Sequence, residues 1–205
     1  MPSPATDYLA QQMSEQAYLD SEPYTEVKRE YIEGYVYAMA GAHRDHNRIA
    51  STLSRKMGNH LEGNTCEVFQ SDMRVKVGSN YFYPDILVDC SGTENYWTTT
   101  PSLIIEVLSN STRRLDETTK RVAYLQIPSL QEYVLIEYGF AKIEVMRRRD
   151  NWQHEYYYLG DEITFHAIGL TLTVEEIYER VQNEDVLAWL TRKSLDTNAP
   201  KTAGE

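Results

Sequence analysis

Long apolar runs are missing from this sequence. The longest, Leu103 to Leu108, is broken by Glu106, and a bilayer span needs about 20 apolar residues, so no membrane segment is expected. Cysteine is nearly absent. Cys66 and Cys90 are the only two, too few and too far apart for a zinc or disulfide framework. They read as reduced structural thiols, which suits a cytoplasmic protein. Positive charge is also scarce: 20 Lys and Arg stand against 31 Asp and Glu, for a formal net charge of -11. That argues against a large basic nucleic-acid footprint, though not against an enzyme that keeps its positive charge in one cleft. Met1 to Asp20 has no apolar core segment and does not read as a secretory signal. There is no P-loop, glycine-rich dinucleotide fingerprint, G-x-S-x-G or H-E-x-x-H, which weakens kinase, dehydrogenase, esterase and zinc-protease readings.

What is present is globular. Hydrophobic residues make up 41% and charged residues 25% of 205 positions, enough for one domain with a sizeable core. Sixteen tyrosines gather toward strand-like segments. Residues 7–19 read as a short helix. Glu30 to Met39 reads as a hairpin turning at Glu33-Gly34. Over 44–61, Ile49, Ala50, Leu53, Met57 and Leu61 form one apolar stripe at helical spacing, and His46 falls on it. Strands follow at 66–77, Tyr83 to Cys90 and Ser102 to Leu108, the last almost continuously apolar and therefore central. A helix over 112–126 is stopped by Pro128. Glu132 to Glu137 is another buried strand, and 141–148 with 152–159 form a hairpin. A strand near 162–166 and a helix near 173–181 complete the pattern. The order predicts an α/β fold, a central mixed β-sheet flanked by helices, with an N-terminal hairpin and a C-terminal β-meander. The expected divisions are an N-terminal extension over 1–20, a domain over 21–190 and a disordered tail over 191–205.

Three residues carry the chemistry. Glu106 lies inside a central strand, where a lone carboxylate costs several kcal/mol unless a partner or metal compensates it (about 2–7 kcal/mol for a neutral polar group, more for a charge). The plainer reading is a strand-end carboxylate facing a lysine or solvent. Asp85 follows Pro84, which suits a strand start, so the aspartate can point into a cleft; it can equally be a turn residue. Lys120 stands at i, i+4 from Asp116 on the helix that follows the Glu106 strand. It is either a surface ion pair or a lysine reaching back over the sheet edge. Together the three form a coherent site. Asp85 and Glu106 suit a hard cation such as Mg²⁺, with Mn²⁺ as a substitute, and Lys120 would orient a water or offset developing charge. Asp72 is a further candidate metal ligand. Glu33, His46 and Asp116 are auxiliary candidates, with turn chemistry the competing account of Glu33 and a satisfied core histidine the favoured account of His46.

The run Tyr83-Pro84-Asp85, then Ile105 through Thr112, then Asp116 and Lys120, resembles the Uma-two family of restriction-endonuclease-like proteins. Further matches are Glu30 to Gly34, Met39 to Ala42, His46, Ser71 to Val75 and Pro128 to Tyr133, so the resemblance runs from about residue 24 to about residue 180. It implies the PD-(D/E)xK nuclease superfamily, with Asp85 and Glu106 as its two acids. The superfamily's lysine lies two residues after the glutamate. Leu108 occupies that position here, and the resemblance transfers the role to Lys120. The implied activity is Mg²⁺-dependent endonucleolytic cleavage of DNA. The alternative, supported by the acidic charge and the displaced lysine, is a non-catalytic nucleic-acid- or protein-binding module on the same fold. A homodimer joined through a hairpin rich in aromatics (Trp152, Tyr156, Tyr157, Tyr158) is a third reading.

Overall fold

The structure is a computed structural model that describes residues 11–198. β1 (Gln11–Gln12) and α1 (Glu15–Ser21) come first, the helix capped by the Ser14 hydroxyl, which accepts from the Ala17 N–H. β2 (Arg29–Ile32) and β3 (Tyr35–Ala38) make the expected hairpin. Its turn residues Glu33 and Gly34 have φ of 51° and 87°, the left-handed pair that a two-residue turn needs to match strand twist. β1 pairs with β3, and Tyr18 of α1 is fully buried against Tyr31 and Tyr81. Residues 11–20 are therefore woven into the fold instead of extending from it. The helix expected from residue 7 begins at Glu15, and the earlier residues of that expectation lie partly outside the described range.

α2 (Arg44–His60) forms where the apolar stripe predicted it. After it, the segment expected as one strand over 66–77 is divided, and the strand expected over Tyr83 to Cys90 shortens to Ile86–Asp89 behind a separate strand that was not expected. Residues 66–77 become β4 (Glu67–Gln70) and β5 (Arg74–Val77). Residues 80–90 become β6 (Asn80–Phe82) and β7 (Ile86–Asp89). In both cases the chain leaves one sheet for another. Ser71, at φ 66°, cannot continue a strand, and Pro84 cannot donate to a ladder. The two crossings are tied together, since Ser71 N–H donates to the Asp85 carbonyl at 3.0 Å. Asp85 thus sits at the joint between two sheets.

β8 (Trp97–Thr98) and β9 (Pro101–Leu108) follow. Then comes one continuous helical stretch in three pieces: α3 (Arg113–Leu115), a π turn (Asp116–Lys120) and α4 (Arg121–Tyr124). β10 (Glu132–Glu137), β11 (Ile143–Arg147) and β12 (His154–Tyr157) form the expected meander. β13 (Glu162–Phe165) pairs with β14 (Leu170–Thr173), a strand the sequence did not signal, which leaves only α5 (Val174–Ile177) of the helix expected over 173–181. α6 (Glu184–Asn198) closes the described chain. Residues 191–198, expected as part of a disordered tail, continue this helix.

One sheet has the order β1-β3-β2-β6-β5-β8 and the other β12-β11-β10-β9-β7-β4. Both are mixed: in the first β5 runs parallel to β8 and antiparallel to β6, and in the second β9 runs parallel to β10 and antiparallel to β7. All eight residues of β9 are buried, which explains its unbroken apolar character. Alternate side chains of β9 reach opposite faces. Leu103, Ile105 and Val107 pack with Ile49, Leu53 and Met57 of α2. Ile104 and Leu108 join Phe82, Tyr124 and Tyr133 between the two sheets. Glu106, of the second set, therefore points into the apolar layer between the sheets.

One expectation fails here for a local reason. The cysteines are not thiols: β4 and β7 place Glu67 opposite Asp89, and the next pair outward, Cys66 and Cys90, is joined by a disulfide. Antiparallel register brings together what sequence distance kept apart. The aromatic hairpin divides its rings between two sides. Trp152 and Tyr157 pack inward on the cores, while Tyr156 and Tyr158 face outward.

Candidate active site

Glu106 is 2% exposed. Nothing in the surrounding Leu, Ile and Val could stabilise its charge, so its partners must come from other elements. They do. Lys120 Nζ lies 3.2 Å from Glu106 Oε1, and the Tyr124 hydroxyl donates to the same oxygen at 3.2 Å. On the far side, Asp85 N–H donates to Glu106 Oε2 at 3.3 Å. The reciprocal bond is shorter: Val107 N–H donates to Asp85 Oδ2 at 2.7 Å. β7 and β9 thus lock the two acids together at the β7 strand start. His46 Nε2, in the first turn of α2, is 3.1 Å from the same Oδ2.

Lys120 is also buried. Three carboxylates surround its ammonium: Glu30 at 2.9 Å, Glu106 at 3.2 Å and Asp116 at 3.2 Å. All three lie at ion-pair distance, but among the described residues only Glu106 Oε1 accepts a hydrogen bond from the ammonium, and Asp116 Oδ1 is buried without a hydrogen-bond partner. The π turn carries both Asp116 and Lys120, and such turns recur where a helix bends to serve a site. Tyr133 holds that turn, its hydroxyl donating to the Asp116 carbonyl at 3.0 Å.

The electrostatics follow from burial. Desolvation pushes Glu106 well above the usual carboxylate range; Lys120 opposes this, and Asp116, Asp85 and Glu30 add to it. Burial likewise raises Asp116, against the pull of Lys120. For Lys120 burial favours the neutral amine, but the three carboxylates override it and hold the ammonium well above its ordinary value. Tyr124 is pushed up by burial and by Glu106, so it remains a phenol donor. The cluster holds more acid than base, and burial raises both Glu106 and Asp116 within it.

Asp85, Glu106, Lys120, Asp116 and His46 are therefore brought together. Asp72 is not: its side chain is 81% exposed and pairs with Lys28 at 2.5 Å. The break at Ser71 aims it outward, away from the two acids. Glu33 is not either, because it occupies the exposed hairpin turn, where its N–H donates to Asn80 Oδ1. The favoured account of His46 as a core histidine is incomplete. It is buried, but its ring nitrogen faces a carboxylate. Sequence reasoning missed Glu30 and Tyr124. Glu30 carried only a weak signal, because it follows Lys28-Arg29 and precedes Tyr31-Ile32, where Glu106 stands inside an apolar run. Tyr124 carried none, since a tyrosine on an apolar helix face reads as core.

A family profile described as "Putative restriction endonuclease" matches residues 15–175. The chain belongs to the Uma2 family. Two Synechocystis relatives carry the names "Uncharacterized protein slr1290" and "Uncharacterized protein sll1609". The first is 34% identical, covering 81% of this chain and 91% of that one. The second is 39% identical, covering 62% and 76% respectively. The fold is shared with a crystal structure titled as a "putative nuclease belonging to DUF820" from Anabaena variabilis, at a TM-score of 0.69 and 20% identity, over 83% of this chain and 99% of that one. The fold expectation is thereby met: a mixed α/β arrangement of large sheets flanked by helices. Among the described residues no helix is long and apolar enough to cross a membrane.

Whether the Uma2 site fits a divalent ion can be tested on its donors. Among the described residues no group of three or more His, Cys, Asp and Glu side chains stands ready as a closed metal cage. A hydrated hard cation needs less: Mg²⁺ is commonly held by one or two carboxylates and keeps several waters. Asp85 meets that requirement. Its side chain is 20% exposed, and Oδ1 takes no hydrogen bond among the described residues, both of its contacts falling on Oδ2. Glu106 lies directly behind it. The pair fits an open, water-rich site and does not fit an all-protein cage.

Proposed function

We propose that this chain is a metal-dependent nuclease that hydrolyses phosphodiester bonds in DNA, with Mg²⁺ as the natural ion and Mn²⁺ as a substitute. The observation that carries the reading is the pairing of Asp85 and Glu106 on adjacent antiparallel strands, one acid open to solvent and the other buried against a lysine. Membership of a restriction-endonuclease family supports a nucleic-acid substrate.

Asp85 and Glu106 would hold the ion. When bound, it lowers the pKa of a water and stabilises charge on a phosphoryl oxygen. The remaining work belongs to side chains. Asp85 Oδ1 is the open acceptor toward which an attacking water can donate. Val107 N–H and the β7 start fix its direction. Lys120 does not reach the substrate in this arrangement, because its ammonium is buried among Glu30, Glu106 and Asp116. It acts through Glu106, keeping that carboxylate oriented and partly neutralised, and Tyr124 does the same from the helix beyond it. Lys120 is thus a positioning residue, which differs from the water-orienting role expected of it.

The near-complete burial of Glu106 favours one alternative, a non-catalytic binding module. Cleavage assays separate the two. Plasmid, linear duplex, single-stranded and branched DNA are incubated with Mg²⁺ or Mn²⁺ and wild-type, Asp85→Asn or Glu106→Ala protein. Metal-dependent cutting by the wild type alone is expected. Equal cutting by Asp85→Asn would overturn the assignment. No cutting of any substrate, with no Mn²⁺ binding, would leave the binding module.

A further inference from the structure

We propose that the exposed ring of His43, backed by Tyr138, is a stacking platform for a nucleobase at the rim of the site, and that the chain therefore acts on single-stranded or locally unpaired DNA. This names the substrate class of the nuclease reading and rests on it.

His43 is the N-cap residue of α2. Its Nδ1 accepts from the Asp45 N–H at 3.2 Å, which ties the ring to the helix it precedes. One face of the ring lies on Tyr138, with centroids 5.0 Å apart and planes 16° from parallel. Contacts from two different elements thus hold the ring, yet the side chain is 57% exposed. With one face covered, that exposure belongs to the other face and the ring edge. Capping alone does not call for an imidazole, since helix starts favour Ser, Thr, Asp and Asn. Packing alone does not call for one either, because a ring that served the core would be buried. A flat ring already held in place gives up little freedom when a flat partner lands on it, and such preorganisation strengthens binding.

The platform stands beside the open acid. Tyr138 directly follows β10, which runs parallel to β9 with Glu137 opposite Leu108. Tyr138 is therefore just past the end of β9, where Val107 N–H donates to Asp85. His46 spans the remaining gap: its ring meets Tyr138 edge-on at 6.5 Å, and its Nε2 is 3.1 Å from Asp85 Oδ2. A base held on His43 would leave a nearby phosphodiester of the same strand at that acid. Only an unpaired base can be held in this way, because a duplex covers both faces of each base with its neighbours. The charge balance points in the same direction. At a net charge of -11 the chain has few cations to spend on phosphates, and stacking on aromatic rings is a contact by which single strands are held without charge. Arg44, the next residue, is exposed and adds one cation beside the ring for a flanking phosphate.

Two variants split the ring from the cap. His43→Asn keeps a favoured capping oxygen and loses the ring; His43→Phe keeps a flat ring and loses the cap. Binding of labelled oligo(dT), of an abasic strand of the same length and of a blunt duplex is measured by anisotropy in Ca²⁺, at a temperature where thermal unfolding shows all three proteins folded. The wild type is expected to bind oligo(dT) more tightly than duplex. His43→Asn should weaken oligo(dT) binding about fivefold or more and leave the abasic strand unchanged, while His43→Phe stays close to the wild type. Equal binding of oligo(dT) by wild type and His43→Asn would overturn the proposal. A loss as large on the abasic strand would do so too, being the mark of a phosphate contact or a structural defect, as would a loss shared by His43→Phe or a wild-type preference for duplex. Failure to bind any of the three strands also sinks the platform. Ring-dependent binding of oligo(dT) with no cutting in Mg²⁺ or Mn²⁺ would keep the platform and overturn the nuclease reading. Cutting that needs Asp85 but ignores His43 would keep the nuclease and remove the platform.

Discussion

Glu106 is the residue on which the chemistry and the stability of this protein conflict. It is an acid in an apolar layer, held up by a single ammonium that also serves Glu30 and Asp116. Burial raises its pKa in the fold, and the unfolded chain returns it to the ordinary range. Between those two values the native state binds more protons than the unfolded one, so stability falls as pH rises. The contribution is complete below the ordinary glutamate value and is lost upward from there; Asp116, also raised, adds to the same slope. Thermal unfolding in chelator from about pH 5 to about pH 8 should therefore show a decline with pH that is distinctly shallower in Glu106→Gln. Parallel curves for the two proteins would show that Glu106 is ionised in the fold across the range. Removing Lys120 is a different matter, because it strands carboxylates without their counter-charge, a loss on the order of 3–5 kcal/mol.

Among the elements, the decisive ones are the two crossings between sheets. β4–β5 and β6–β7 each divide near Ser71 and Pro84, and the Ser71–Asp85 backbone bond holds the breaks side by side. β4 lies at the edge of its sheet, with only β7 to hold it. The Cys66–Cys90 disulfide staples this edge across a separation of 24 residues, and loops of that size gain about 3–4 kcal/mol from the cross-link in the chain-entropy account. Thiol titration of the purified native protein under non-reducing conditions should find no free cysteine, and reduction should lower the unfolding temperature. Titration of two thiols in the untreated protein, with no response to reductant, would return the pair to the reduced state that composition suggested. A strand signal of alternating residues reads the same on both sides of such a break, which is why β4 and β5 were expected as one strand. The hairpin at Glu33-Gly34 and the helix at Arg44–His60 were legible because their signals, a left-handed turn and an apolar stripe, are local.

At the scale of the whole molecule, a net charge of -11 limits how much phosphate the surface can neutralise. A nuclease of this composition should grip DNA through a few contacts at one cleft. Log affinity for duplex DNA, measured by anisotropy in Ca²⁺ or with Glu106→Ala to prevent cutting, should fall with log salt at a shallow slope, on the order of two to four phosphates neutralised. A slope near ten would mean a broad basic track that composition argues against. The two sheets also explain how an acidic protein keeps a lysine from solvent: the layer between them is thick enough to bury Lys120 with its three carboxylates.

The sequence by itself determined the fold class, the central place of the Leu103–Leu108 strand and the identity of Asp85, Glu106 and Lys120 as a set. Those conclusions rest on periodicity and on ordered motifs, which are properties of the chain read along its length. Tertiary structure alone decided that Glu30 and Tyr124 complete the cluster and that Asp72 and Glu33 stand outside it. It also turned His46 toward Asp85 and joined the cysteines. The reason is common to all of them. Each depends on register between strands or on the direction a side chain takes at a break, and neither quantity is encoded in the spacing of residues along one chain.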